Sequence, residues 1–194
     1  MFLSLVLFVT AFTPQAQADP TASREYQVKA AFLYNFMNFV DWPEEKLSDN
    51  NEPITIGIIG NNPFGDAFKP IQDKLVKGKK VVIQQFQGLE ELKKSSEEHP
   101  QIEAIRKCHL LFVCQSEKGS LKKIIDLIKD YSVLTVGDME GFLESGGIIN
   151  FVMEENKVRF EIDIAAARRA KLKIRSQLLR LAKRVVGQDT FEQN

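Results

Sequence analysis

The sequence predicts an α/β fold, a helix-flanked mixed sheet with mostly parallel strands and a C-terminal antiparallel hairpin. Three observations lead there. Short β-rich apolar runs alternate with helical stretches between Ile54 and Asp138, the order that builds parallel sheets. The run "HLLFVC", residues 109–114, is continuously apolar, as a strand buried on both faces should be. Near the C-terminus, "GGIINFVMEENKVRFEID" reads as two strands joined by a polar turn at Glu155 and Asn156.

The chain opens "MFLSLVLFVTAFTPQAQADP". Its apolar run from Phe2 to Phe12 is shorter than the ~20 residues a membrane-spanning helix needs. The small residues of "AQA" at 16–18 follow it, as at a signal-peptidase site. Residues 1–18 are therefore expected to be a signal peptide, leaving one domain over 19–194. The 26 basic and 26 acidic residues cancel, so net charge gives no pull toward nucleic acid or an anionic membrane. No repeat or long linker divides the rest.

Six of the eighteen aromatic residues fall in "YQVKAAFLYNFMNFVDWP", 26–43. At the helical period, Val28, Leu33, Phe32, Phe36, Met37, Phe39 and Val40 occupy about half the wheel. Gln27, Ala31, Tyr34, Asn35 and Asn38 fill the other half. Glu25 is placed in the first turn, and Pro43 ends the helix. Phe32, Phe36 and Phe39 lie within ~60° of one another, which marks them as core. Tyr34 on the far side and Trp42 beside Pro43 are the candidate partner contacts, because amphipathic rings often anchor interfaces.

"ITIGIIG" is the first strand, and a helix is expected from Asn62 and Pro63 to about Val76. "KKVVIQQF" is the second strand. "LEELKKSSEEHPQIEAI" is helical and broken at Pro100, "HLLFVC" is the third strand, and "SLKKIIDLIKDY" is an amphipathic helix opened by Ser120. "VLTVGD" is the fourth strand. Beyond the hairpin, Asp163 can cap a helix starting at Ile164. A last helix would present Leu178, Leu181, Ala182 and Val185 on one face.

Motifs for chemistry are few. Gly60 and Gly65 are spaced as in a phosphate loop, but Asp66 and Ala67 stand where Lys and a hydroxyl residue are needed. Asp138, Glu140 and Glu144 follow the fourth strand, at the edge where open α/β sheets bind ligands; they read either as a hard-cation or acid/base group or as turn residues. His99 and His109 lack a second ligand at zinc spacing. Cys108 and Cys114 are redox-capable thiols. An extended strand separates them by ~20 Å, beyond the ~7 Å that a disulfide spans, so no intrachain bond is expected. The eight basic residues Arg168, Arg169, Lys171, Lys173, Arg175, Arg180, Lys183 and Arg184 form either a solvated face or a surface for an acidic partner or an anionic membrane.

Three blocks together carry a family resemblance: "EYQVKAAFLYNFMNFVDWP", "IGIIGNNPFG" and "VLTVGDMEGFLESGGIINFVMEENKVRFEIDIAAARRAKLKIRSQLLRLAKRV". The chain resembles the YfiR-like family of periplasmic proteins over nearly all of residues 19–194. Members commonly carry Asn where Asp163 stands and Ser where Arg175 stands. The resemblance implies a periplasmic, non-enzymatic regulator without cofactor. Its implied partner is the periplasmic domain of an inner-membrane diguanylate cyclase, which it represses, lowering cyclic-di-GMP and biofilm formation. A sequestering envelope protein would relieve that repression, and a homodimer is compatible with the scheme. The other reading is a periplasmic small-ligand sensor acting on another receptor, with Asp138 near its pocket.

Overall fold

The computed structural model describes residues 20–49, 52–93 and 100–188. The expected signal peptide and His99 lie outside them.

The chain starts with α1 (Pro20–Phe39), β1 (Val40–Asp41), α2 (Glu44–Leu47) and β2 (Ile54–Ile59). A 3-10 turn (Gly65–Phe68) leads to β3 (Leu75–Val76) and β4 (Lys79–Phe86). Then come α3 (Leu89–Lys93), α4 (Pro100–Lys107), β5 (Leu110–Val113), a second 3-10 turn (Gln115–Ser120), α5 (Leu121–Ile128) and β6 (Leu134–Gly137). The hairpin β7 (Ile149–Glu154) and β8 (Lys157–Asp163) follows, then α6 (Ile164–Arg169), β9 (Lys173–Ile174), α7 (Ser176–Leu179) and β10 (Arg184–Val186).

Eight strands form one sheet in the order β10-β8-β7-β6-β5-β2-β4-β3. The five from β7 to β4 in that order are mutually parallel. β8 runs antiparallel to β7, and β3 antiparallel to β4. β1 and β9 make a separate antiparallel pair. The α/β class and the C-terminal hairpin expected from the sequence are both present. Glu155 and Asn156 take left-handed φ of 48° and 60° at the hairpin turn, a conformation Asn tolerates better than most residues.

Alternation along the parallel strands divides the interior in two. Ile54, Ile56 and Ile58 of β2, with Leu110 and Phe112 of β5, face a core shared with α1, α6 and α7. Ile59, Leu111 and Val113 face a second core shared with α3, α4 and α5. Within the first core Phe36 is fully buried, its ring centroid 5.0 Å from Phe160 and 5.6 Å from Phe151. Phe32 and Phe39 pack against the same core while keeping partial exposure.

Three local expectations are corrected. The helix expected to Val76 is only the 3-10 turn, because the Asn62 Oδ1 accepts from Phe64 N–H at 2.9 Å and closes a tight turn instead of capping a helix. Left-handed φ at Asp73 and Lys77 then folds the chain into β3. The last helix stops after Leu179, and Arg184–Val186 adds as a parallel strand on β8. There the β-branched Val185 and Val186 cover an edge that would otherwise present unpaired amides. Leu181 is left 62% exposed.

The third correction concerns Trp42. Expected at the surface, it is 7% exposed and gives its indole N–H to the His109 carbonyl at 3.2 Å. Pairing of Val40 with Ile174 and Asp41 with Lys173 turns the chain back toward the sheet and carries the ring inward. Burial of both rings predicts that Phe36→Ala and Trp42→Ala each cost ~3–5 kcal/mol. Denaturant melts of the two variants check this; a Trp42→Ala melt matching the parent would mean that the ring contributes nothing to packing.

Candidate functional site

The helix α1 divides its residues between three environments. One stripe enters the core through Ala30, Leu33, Phe36 and Met37, all fully buried. A second environment is polar and sealed. Lys29 lies at 60° from Phe32 on the helical wheel, inside the apolar arc, and its ammonium meets Asp138 at 2.6 Å. Both side chains are 3% exposed. Tyr26 donates its phenol O–H to the same carboxylate oxygen at 2.9 Å. Glu25 reaches Lys29 from one turn earlier at 2.5 Å. Because α1 begins at Pro20, Glu25 sits beyond the first turn and acts through this pair instead of the helix end.

The third environment is an exposed flank. Val28 is 40% exposed and Met153, across on the hairpin, 50%. With Phe32 and Val158 they line a shallow groove, bordered by Arg24, Lys157 and Arg159. On the opposite side of α1, Tyr34 is half-buried. Its hydroxyl donates to the Leu75 carbonyl at 3.1 Å, and Lys74 lies over its ring at 5.5 Å. Leu75 itself is 58% exposed.

The remaining residues singled out in the sequence fall as follows. Asp138 is enclosed by α1, while Glu140 and Glu144 are exposed beyond it, so the three do not converge on one point. Among the described residues no group of three His, Cys, Asp or Glu side chains has metal-holding geometry. His109 is 5% exposed and its Nδ1 accepts from Thr55 N–H at 3.1 Å. Burial pushes its pKa down to about 4. Cys108 and Cys114 are thiols in different cores, on opposite faces of the sheet. Burial pushes both up to about 12, far from thiolate reactivity. Burial and the Asp138 charge likewise raise the Tyr26 phenol.

The eight basic residues are all exposed, and Arg175, Lys183 and Arg184 meet carboxylates. Arg175 pairs with Asp41 at 2.7 Å, Lys183 with Glu154 at 2.9 Å and Arg184 with Glu161 at 2.6 Å. The Arg175 guanidinium holds Asp41 down to about 2. Asp163 caps α6 by accepting from Ala166 N–H at 2.9 Å, a role Asn performs equally well.

The family model YfiR/HmsC-like (DUF4154) matches residues 26–183. The match starts at Tyr26, takes in Lys29 and Asp138, and ends past α7. The chain belongs to the YfiR/HmsC-like family. Proteins of this family are periplasmic, non-enzymatic regulators in the diguanylate cyclase system. Among the described residues no helix is long and apolar enough to cross a membrane. Among curated proteins, none matches the chain.

Among the solved structures that share the fold of this YfiR/HmsC-like chain are two from different organisms. One is a conserved domain protein from Vibrio cholerae O1 biovar El Tor strain N16961, with TM-score 0.51 and 12% identity over 83% of this chain. The other is the ABC domain from Streptococcus pneumonia in complex with L-Trp, with TM-score 0.54 and 10% identity over 84% of this chain. The chain spans 60% of the length of each.

Two predictions arise from the buried charges and the buried imidazole. Removing one partner of a buried pair strands the other, at ~3–5 kcal/mol. Lys29→Met alone is therefore expected to destabilise by that amount, and Lys29→Met with Asp138→Leu to recover most of it. Urea melts of the single and double variants test the pair; equal losses in both would assign the cost to packing.

His109 is neutral in the folded state down to pH ~4 but takes up a proton near pH ~6.5 when unfolded. The unfolded chain binds more protons in that window, so stability falls as pH drops through it. The loss between pH 7 and pH 4 is expected to reach ~3 kcal/mol. Asp41, held down to about 2, has its effect below that window. Urea melts across the range should show the slope in the parent and a flattened one in His109→Gln; an unchanged slope would assign the acid sensitivity elsewhere.

Proposed function

We propose that this protein is exported by its N-terminal signal peptide and represses an inner-membrane diguanylate cyclase by binding the cyclase's periplasmic domain. The observation that carries the reading is the family match over residues 26–183. The state of the titratable groups supports it. The buried imidazole is pinned neutral and both thiols are held far above neutrality, directions that oppose acid/base and nucleophilic work. A regulator of this kind acts through its surface, and an envelope protein that covers the same surface would relieve repression.

The surface assigned to docking is the exposed part of α1. Tyr34, beside exposed Leu75, gives a ring with a polar tip, the residue type that often anchors interfaces. Val28 and Met153 give the apolar flank on the other side. Trp42 is left out of this surface, because its ring is 7% exposed and packs in the core.

The expected outcome is that Tyr34→Ala and Val28→Asp each weaken binding by about tenfold or more, as loss of an interface anchor does. Val28→Asp should leave the melting temperature nearly unchanged, and Tyr34→Ala, which loses the hydrogen bond to the Leu75 carbonyl, should lower it far less than Phe36→Ala does. Phe36→Ala should lower the melting temperature and reduce repression only by depleting folded protein. The measurement is a thermal melt beside a binding titration against the purified periplasmic domain, with cyclic-di-GMP followed in cells. Parent-like binding by both surface variants would remove α1 from the interface, and no binding by the parent would remove the cyclase as partner.

A further inference from the structure

A cavity of about 580 Å³ opens at the C-terminal ends of β2, β4 and β5. Its size falls within the roughly 300–1,000 Å³ typical of small-molecule sites. Its place in the topology is equally specific. The chain leaves β2 toward β4 on one side and leaves β5 toward β6 on the other. The loops after β2 and β5 therefore diverge, and the crevice between them is where open α/β sheets take ligands. The YfiR/HmsC-like reading makes no use of this crevice.

The floor is built around Glu117, a carboxylate 8% exposed. Its Oε2 accepts from Leu89 N–H at 3.0 Å, and Ser116 Oγ donates to its Oε1 at 3.4 Å. Ser116 Oγ in turn accepts from Asn61 N–H at 2.9 Å. Two glycines make the space. A Cβ on Gly60 would stand 2.4 Å from Ser116 Oγ, and one on Gly88 2.7 Å from Glu117 Oε1. Gly60 also adopts φ +94°, unfavourable for any side-chain-bearing residue. Loss of either glycine would displace the carboxylate.

The walls are acceptor-rich. Gln85 spends its amide N–H groups on the carbonyls of Gly60 and Phe86, which leaves its carbonyl oxygen as an acceptor. Gln101 Oε1 accepts from Gln87 N–H at 3.3 Å. Glu90 and Glu91 stand at the rim, Glu90 already meeting Lys123 at 2.9 Å. The described lining holds three carboxylates and no Lys, Arg or His. Such a cavity repels anions and favours a ligand that brings its own positive charge and donors.

We propose that this cavity is a binding site for a small organic ammonium ion, whose N–H groups meet Glu117 at the floor while its hydrocarbon part lies toward the mouth. The proposal stands apart from the docking role of α1 and is read by direct binding alone. Isothermal titration of the mature protein with 1,4-diaminobutane is the test, with 1,4-butanediol and succinate as neutral and anionic controls of similar length. The diamine should give saturable heat at millimolar concentration, and the two controls none. Glu117→Gln should weaken the diamine by about tenfold, the scale of a charge-assisted hydrogen bond made neutral. Gln85→Lys, at an exposed position, places an ammonium at the mouth and should do the same with the fold intact; it decides the matter if Glu117→Gln does not fold. Absence of saturable diamine heat, equal heat from the diol, or parent-like affinity in a folded Glu117→Gln or Gln85→Lys would each overturn the assignment.

Discussion

The structure depends on how one face of a parallel sheet is covered. Parallel strands must be buried on both faces, and right-handed crossovers decide which face each connection covers. Here the connections from β4 to β5 and from β5 to β6 run in the same direction across the sheet, so α3, α4 and α5 cover one face. The connection from β2 to β4 runs the other way and supplies the opposite face with a four-residue 3-10 turn and the flanking Phe64, Ile71 and Val76, but no α-helix. That face would lie open without α1. The twenty-residue helix, reinforced by α6 and α7, closes it. The aromatic excess near the N-terminus follows, since a broad sheet face needs large side chains to fill it.

Apolar packing alone lets a helix slide or rotate on a sheet. The buried Lys29–Asp138 pair supplies direction. Its worth as net stability is small, because desolvation offsets much of the attraction. Its worth in register is larger: with both side chains 3% exposed, any other seating of α1 leaves one charge buried alone. Tyr26 and Glu25 extend the same contact. The end of β6 is also where the sheet changes from uncharged strand to polar loop, so it is the first place where an anion for Lys29 can sit.

Much of this was legible in the sequence, because burial writes itself as periodicity. The all-apolar β5, the alternation in β8 and the half-wheel arc of α1 each follow from how the element is covered. Lys29 left a readable signal too: a lysine within an apolar arc needs a buried anion, and Asp138 follows an uncharged strand. What stayed hidden was decided by tertiary pairing. Trp42 beside Pro43 looks exposed locally, and only the pairing of β1 with β9 turns it inward. Leu178, Leu181, Ala182 and Val185 fit a helix in isolation, yet the open edge of β8 draws Val185 and Val186 into a strand. Glu117 lies in a polar run whose sequence gives no sign of a cavity, which arises only when three strand ends and two distant glycines meet.

The docking flank and the switch-point cavity are joined by a short, continuous path. Glu117 on the cavity floor and Gln115 share one 3-10 turn. Gln115 donates to the Asp138 carbonyl at 3.2 Å, and the Asp138 carboxylate holds α1 through Lys29 and Tyr26. Proximity of this kind is not coupling in itself, because a ligand shifts a second site only through two states that it binds unequally. The fold restricts where such states could differ. The paths through the two cores are close-packed and resist small displacements, whereas the 115–117 turn borders open space on one side. A change in seating of α1 transmitted from the cavity would therefore pass through Gln115 and Asp138, and any effect of ligand on partner affinity would be matched by an equal effect of partner on ligand affinity.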